Sequence, residues 1–226
     1  MTAEPPRVEL LFLWHHHQPD YRNPRTGVAL LPWVRLHAVK DYLDMALHLE
    51  RHPGVRATFN FVPALVDQLE DAVAGKGDAL FDLLQRPVAE LTPEERDALA
   101  FRCTQCPPRM RERWPEHAAL RQRAARTHEG RGVPLGDRDL EALEAWFLYS
   151  WLDPTAWDEP AAKAMLAARR APGGKERDAL LELYAQLLGR VLPAYRALAA
   201  RGQVELSPRP PGSIKNQERD WNDFAS

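Results

Sequence analysis

The sequence predicts an α/β fold in which three parallel strands frame a large helical insertion. Three observations predict it. A strand–helix–strand pattern opens the chain, a long stretch of purely helical periodicity follows, and a third short strand closes that stretch. The helical stretch is roughly 140 residues, too long for one crossover helix, so residues 64–201 read as an insertion on a β/α frame.

Residues 8–14 form a nearly unbroken apolar run, Val8-Glu9-Leu10-Leu11-Phe12-Leu13-Trp14. Its length and bulk suit a first strand buried on both faces. Pro19, Asn23, Pro24 and Gly27 mark the loop that follows. Leu36, Val39, Leu43 and Leu47 recur at helical spacing and predict a helix over 33–51, stopped by His52-Pro53-Gly54. Over 55–61, Val55, Ala57, Phe59 and Phe61 alternate with Arg56, Thr58 and Asn60, which predicts a second strand. This order is a βαβ unit, with parallel strands and a right-handed crossover. Helices are then predicted over 64–73, 79–84, 93–102, 116–126, 137–152, 159–169 and 175–201. Pro107-Pro108 and Pro172-Gly173-Gly174 punctuate the joins. A third strand is predicted over 204–207, after Gly202. Residues 208–226 open with Pro208-Arg209-Pro210-Pro211-Gly212-Ser213 and stay polar, so they are expected to form a disordered or loosely docked tail.

Bulk composition narrows the functional classes. The chain has 226 residues, 45% of them hydrophobic, so it can bury a sizeable core. Its 30 basic and 32 acidic residues give a net charge of -2, without the basic excess of a nucleic-acid binder. Two cysteines argue against a disulfide-stapled scaffold. No apolar run approaches the ~20 residues that span a bilayer. The N-terminus lacks the charged start and small-residue cleavage site of a signal peptide, so a cytoplasmic protein without membrane contact is expected.

The strongest chemical signal is His15-His16-His17-Gln18-Pro19, at the predicted C-terminal end of the first strand. Alternation along a strand puts His15 and His17 on one side, and ligand-contacting residues of β/α barrels gather at this strand end. A polar strand cap is the competing explanation. Asn60 ends the second strand, where it can equally cap a helix starting at Pro63. Glu205 lies in the third strand. A carboxylate there is costly if buried unpaired, and the competing placement is a solvent-facing edge. Convergence favours function, because all four residues fall at or near the ends of predicted strands. Cys103-Thr104-Gln105-Cys106 has half the spacing of a zinc site, but His117 and His128 are wrongly spaced to complete four ligands. Lone thiols in a helical layer, and no metal, are expected. Trp14, Trp33 and Trp157 can stack on sugar rings, although most tryptophans serve the core.

His-His-His-Gln-Pro resembles the His-x-His-Gln-Pro first region of glycoside hydrolase family 57. Segments 31–42, 58–65 and 146–154 are similar to family sequence, and Gly202-Gln203-Val204-Glu205-Leu206 resembles the family's second region. Together these span residues 8–207. The resemblance implies an incomplete seven-stranded β/α barrel, of which residues 1–207 hold the first three parallel strands. It implies retaining hydrolysis or transfer at α-glucosidic bonds, on an α-glucan or oligosaccharide and without a cofactor. His15, His17 and Glu205 match positions that line the donor-sugar subsite and hold hydroxyl groups rather than a metal. Asn60 joins them as a substrate-binding candidate. The family's nucleophile, a Glu, and its acid/base, an Asp, lie in third and fourth regions beyond the second. Glu218, Asp220 and Asp223 sit in no such motif. The chain is therefore expected to be a truncated, inactive N-terminal part, with the catalytic pair beyond its end. Two other readings stand beside this one. A metal-dependent polysaccharide deacetylase relative would use His15 and His17 as ligands with an Asp, although Trp14-His15 occupies the place of its usual acidic pair. A non-catalytic glucan-binding module would keep the fold without the chemistry.

Overall fold

A computed structural model of the chain describes residues 8–207; the predicted tail at 208–226 lies outside the described residues. Strand β1 (Leu13–His16) is followed by α1 (Trp33–His37), a π-helical turn (Ala38–Tyr42) and α2 (Leu43–Arg51), then β2 (Ala57–Phe61). Seven α-helices run between β2 and the last strand. They are α3 (Pro63–Val73), α4 (Phe81–Leu84), α5 (Pro93–Arg102), α6 (Pro115–His128), α7 (Asp137–Trp151), α8 (Pro160–Ala167) and α9 (Gly174–Ala200). Strand β3 (Val204–Ser207) closes the described chain. The sheet order is β1-β2-β3 with both pairings parallel.

The first strand corrects one expectation. The run 8–14 was expected to be a strand buried on both faces, yet the ladder starts only at Leu13 and reaches His16. Val8, Leu10 and Leu11 are each more than three-quarters exposed. The reason is pairing. Apolar bulk marks a strand only where a partner offers matching groups, and among the described residues β1 pairs with β2 alone, over the four residues opposite Thr58–Phe61.

The helix starts follow from local chemistry. Proline occupies the first turn of α3, α5, α6 and α8, where its missing N–H is no loss. Thr92 and Glu95 close a capping box on α5. Thr92 Oγ1 accepts from Glu95 N at 3.2 Å, and Thr92 N donates to Glu95 Oε2 at 2.9 Å. Helix α7 is buried all round from Ala142 to Trp151, because α5, α6, α8 and α9 surround it. Its one buried charge, Glu144, accepts from Arg177 Nη1 of α9 at 3.0 Å.

The predicted helix 33–51 is continuous but not uniform. The Leu43 N–H donates to Ala38 O, five residues back, so one turn is wide. Such turns accommodate an extra residue and frequently mark functional positions. Here the wide turn faces the sheet. Tyr42 O accepts from buried Tyr195 Oη at 2.8 Å, and the Tyr42 ring packs 4.8 Å from that of His16. Chain direction orients the layer. The helical run from Trp33 leads down to the start of β2, so Trp33 and His37 lie at the C-terminal end of the strands and Arg51 at the opposite end.

At that opposite end, Gln203 gathers the chain. Its Nε2 lies 2.7 Å from Leu49 O, 3.0 Å from His52 O and 3.0 Å from Val55 O. The buried amide thus ties the end of α2 and the approach to β2 to the first residue before β3. Gly202 makes the turn into it at φ +71°, a conformation that side-chain-bearing residues rarely adopt.

Candidate functional site

Strand parity divides the sheet into two unlike faces. Ala57, Phe59, Phe61, Val204 and His16 face the helices and are buried. His15, Thr58, Asn60, Glu205 and Ser207 face the other way and give that side its polar character.

The middle of the polar face is held by Asn60, which is only 4% exposed. Its Oδ1 lies 2.6 Å from His15 Nδ1, and its Nδ2 donates to Ser207 O at 2.9 Å. With the amide orientation set by Ser207, Oδ1 can only accept, so His15 Nδ1 is the donor and Nε2 is left for another partner. The His17 ring stacks beside His15, with centroids 5.6 Å apart and planes inclined by 20°. Both imidazoles are exposed. Glu205 lies on the same face, but one side-chain row lower. It pairs with Thr58, and its Oε2 accepts from Thr58 Oγ1 at 3.3 Å, whereas His15, Asn60 and Ser207 share the upper row. The structure therefore brings His15, His17, Asn60 and Glu205 to one side of the sheet, with Glu205 set back from the strand ends. The capping role considered for Asn60 is not used, since α3 starts after Val62 without a side-chain cap.

His16 does the opposite job. Its ring sits among Tyr42, Phe59, Phe61 and Tyr195, with Nε2 3.3 Å from Met45 Sδ. Burial, reinforced by the neighbouring His15, pushes its pKa down to about 4, so it stays neutral as part of the core.

At the rim, next to these strand ends, is a group that the sequence offered without a role. His37 Nδ1 lies 2.5 Å from Asp41 Oδ2, and Lys40 Nζ pairs with the other oxygen of Asp41. Burial works to raise the Asp41 pKa, but the hydrogen bonds from His37 and Lys40 outweigh it and hold the carboxyl below its ordinary range. The His37 ring lies 6.2 Å from Trp33 and 6.0 Å from Trp151. The i,i+4 spacing of His37 and Asp41 was the signal available in the sequence.

Other candidates carry less. Cys103 and Cys106 are free, buried thiols, and burial pushes both up. Among the described residues, no three His, Cys, Asp or Glu side chains are grouped to hold a metal ion. A cleft beyond β1 is lined by Asp20, Arg22, Asp71 and Lys76. Its cations are already engaged, Arg22 with Asp20 and Asp71, and Lys76 with Asp71.

A parallel α/β sheet under a helical layer, with polar side chains collected on one face and at the strand ends, has the layout of a β/α enzyme scaffold. The family model described as "Glycosyl hydrolase family 57" matches residues 11–211, most of the chain. The chain belongs to glycosyl hydrolase family 57. No curated protein and no solved structure matched it. Among the described residues, no helix is long and apolar enough to cross a membrane.

Proposed function

We propose that the polar sheet face binds a sugar residue of an α-glucan, as the donor-sugar side of a family 57 active site. The observation that carries this is the arrangement of His15 and Asn60. One amide holds the exposed imidazole through Nδ1 and leaves its other nitrogen for a ligand beside a second exposed imidazole, a set of groups suited to hydroxyls. His15 and His17 hold hydroxyl groups, Asn60 orients His15, and Glu205 accepts from a hydroxyl deeper on the face. In this proposal the three strands are the first of an incomplete seven-stranded barrel, and the helical layer 64–201 is an insertion upon it.

The same face explains a proposed lack of hydrolysis by this chain alone. Retaining cleavage needs two carboxyl groups about 5–5.5 Å apart. The polar faces of β1, β2 and β3 carry one carboxylate, Glu205. In this proposal the nucleophile and acid/base come from groups beyond these three strands. The test is calorimetric titration of the 226-residue protein with maltoheptaose, together with a reducing-sugar assay on starch. Binding without release of reducing sugar is the expected result, with affinity falling about tenfold in His15→Ala, the loss of one to two hydrogen bonds. Undetectable binding at millimolar sugar would overturn the proposal, and robust turnover would overturn its catalytic part.

A further inference from the structure

We infer that His37 and Trp33, backed by the buried ring of Trp151, form a second saccharide position on the rim of the sheet, distinct from the polar face and continuous with it; this rests on the α-glucan reading above. The starting point is the orientation of His37. Asp41 takes its Nδ1, and among the described residues nothing hydrogen-bonds its Nε2. The side chain is 32% exposed. An imidazole held through one nitrogen by a carboxylate can offer its other nitrogen to a ligand.

Its surroundings give the ligand's chemistry. Trp33 and Trp151 each pack against His37 and lie 5.8 Å from each other, and Trp151 is buried with its Nε1 donating to Gln105 O. Trp33 is only partly buried. The accessible part of the Trp33 indole suits the C–H face of a pyranose ring, while one polar atom beside it fixes a hydroxyl. Lys40 neutralises Asp41, so the position carries little net charge and favours a neutral sugar over an ion.

Continuity with the polar face follows from a short chain of contacts. Gln18, the residue after His17, donates to Tyr42 Oη at 3.0 Å, and the Tyr42 ring lies 6.3 Å from that of His37. The wide π turn carries Lys40, Asp41 and Tyr42, so the backbone irregularity coincides with the groups that set the position. A glucan held at His15 and His17 would extend over Gln18 to His37. The rim is therefore a position for a further sugar of the same chain, one that a disaccharide does not reach.

The experiment titrates the 226-residue protein with maltose and with maltoheptaose, following calorimetric heat and tryptophan fluorescence. His37→Ala and Trp33→Ala should weaken maltoheptaose about 5- to 10-fold and leave maltose unchanged. His37→Gln, which keeps a hydrogen-bonding group, and Trp33→Tyr, which keeps an aromatic face, should recover most of the affinity. These conservative variants separate loss of the position from loss of fold. Maltoheptaose binding that His15→Ala weakens but His37→Ala and Trp33→Ala leave intact would overturn the rim position while sparing the polar-face proposal. An equal loss for both sugars would also overturn it. Absence of binding to either sugar by the unaltered protein would overturn both.

Discussion

Asn60 joins all three strands through one side chain: its Oδ1 meets His15 Nδ1 of β1 at 2.6 Å, and its Nδ2 meets Ser207 O of β3 at 2.9 Å. Sheet integrity and the proposed ligand face thus depend on the same amide. Asn60→Ala should lower stability by about 1–3 kcal/mol, because it deletes two part-buried hydrogen bonds. Urea unfolding measures this. The same variant should free the His15 ring, seen as a change in its imidazole NMR shifts.

Glu144 and Arg177 form a buried cross-link between α7 and α9, with side chains 0% and 7% exposed. Burial raises the Glu144 pKa to about 7 in spite of its partner. Removing one member leaves an uncompensated buried charge, so Arg177→Met should cost about 3–5 kcal/mol. Glu144→Leu combined with Arg177→Met should return most of that loss. At about 2–4 °C per kcal/mol for a chain of this size, thermal melts resolve both steps.

Four buried or half-buried titratable groups set opposing pH dependences. Burial and the charge of Asp153 push Asp44 up to about 7, and Glu144 is pushed to a similar value. Both bind a proton more tightly folded than unfolded, so stability falls as pH rises from the ordinary carboxyl range to about 7. Burial lowers His16 to about 4 and His117 to about 3. Both take up protons only on unfolding, so stability falls as pH drops below 6.5. The two trends oppose each other over the shared range. Asp44→Asn should raise the melting temperature at about pH 8 and leave a steeper acid loss. His16→Phe should do the reverse at the acid end. Melts across about pH 5 to 8 check both, and unchanged slopes would contradict the assignment.

The helical layer was readable because its punctuation is local. Pro93, Pro115 and Pro160 each start a helix near a predicted boundary, and Gly174 starts α9 one residue from the predicted start. What could not be read depends on partners distant in sequence. Nothing in 8–12 reveals that the ladder starts at Leu13, since pairing with Thr58 decides it. Thr58 opposite Glu205 similarly sets the row that Glu205 occupies. The alternation of His15, His16 and His17 was legible, and their division between two faces follows from it. The π turn was invisible, because one wide turn barely disturbs the apolar spacing of 33–51. His37 was passed over because only the return of Trp151, more than a hundred residues later, gives its ring a setting.

The β2–β3 pairing has a kinetic consequence. Thr58 and Glu205 are 147 positions apart, as are Asn60 and Ser207. Closing so long a loop costs entropy that two short strands recover only once the intervening chain is compact. Contacts of this separation are slow to form. The helices must therefore condense before β3 can find its place, and the final seam of the sheet is the last part of the described chain to assemble. Gln203 sits at that seam with three carbonyls within reach of its amide. It acts as a latch whose closing marks completion of the fold, so refolding should show hydrogen-exchange protection in α7 and α9 ahead of protection in β3.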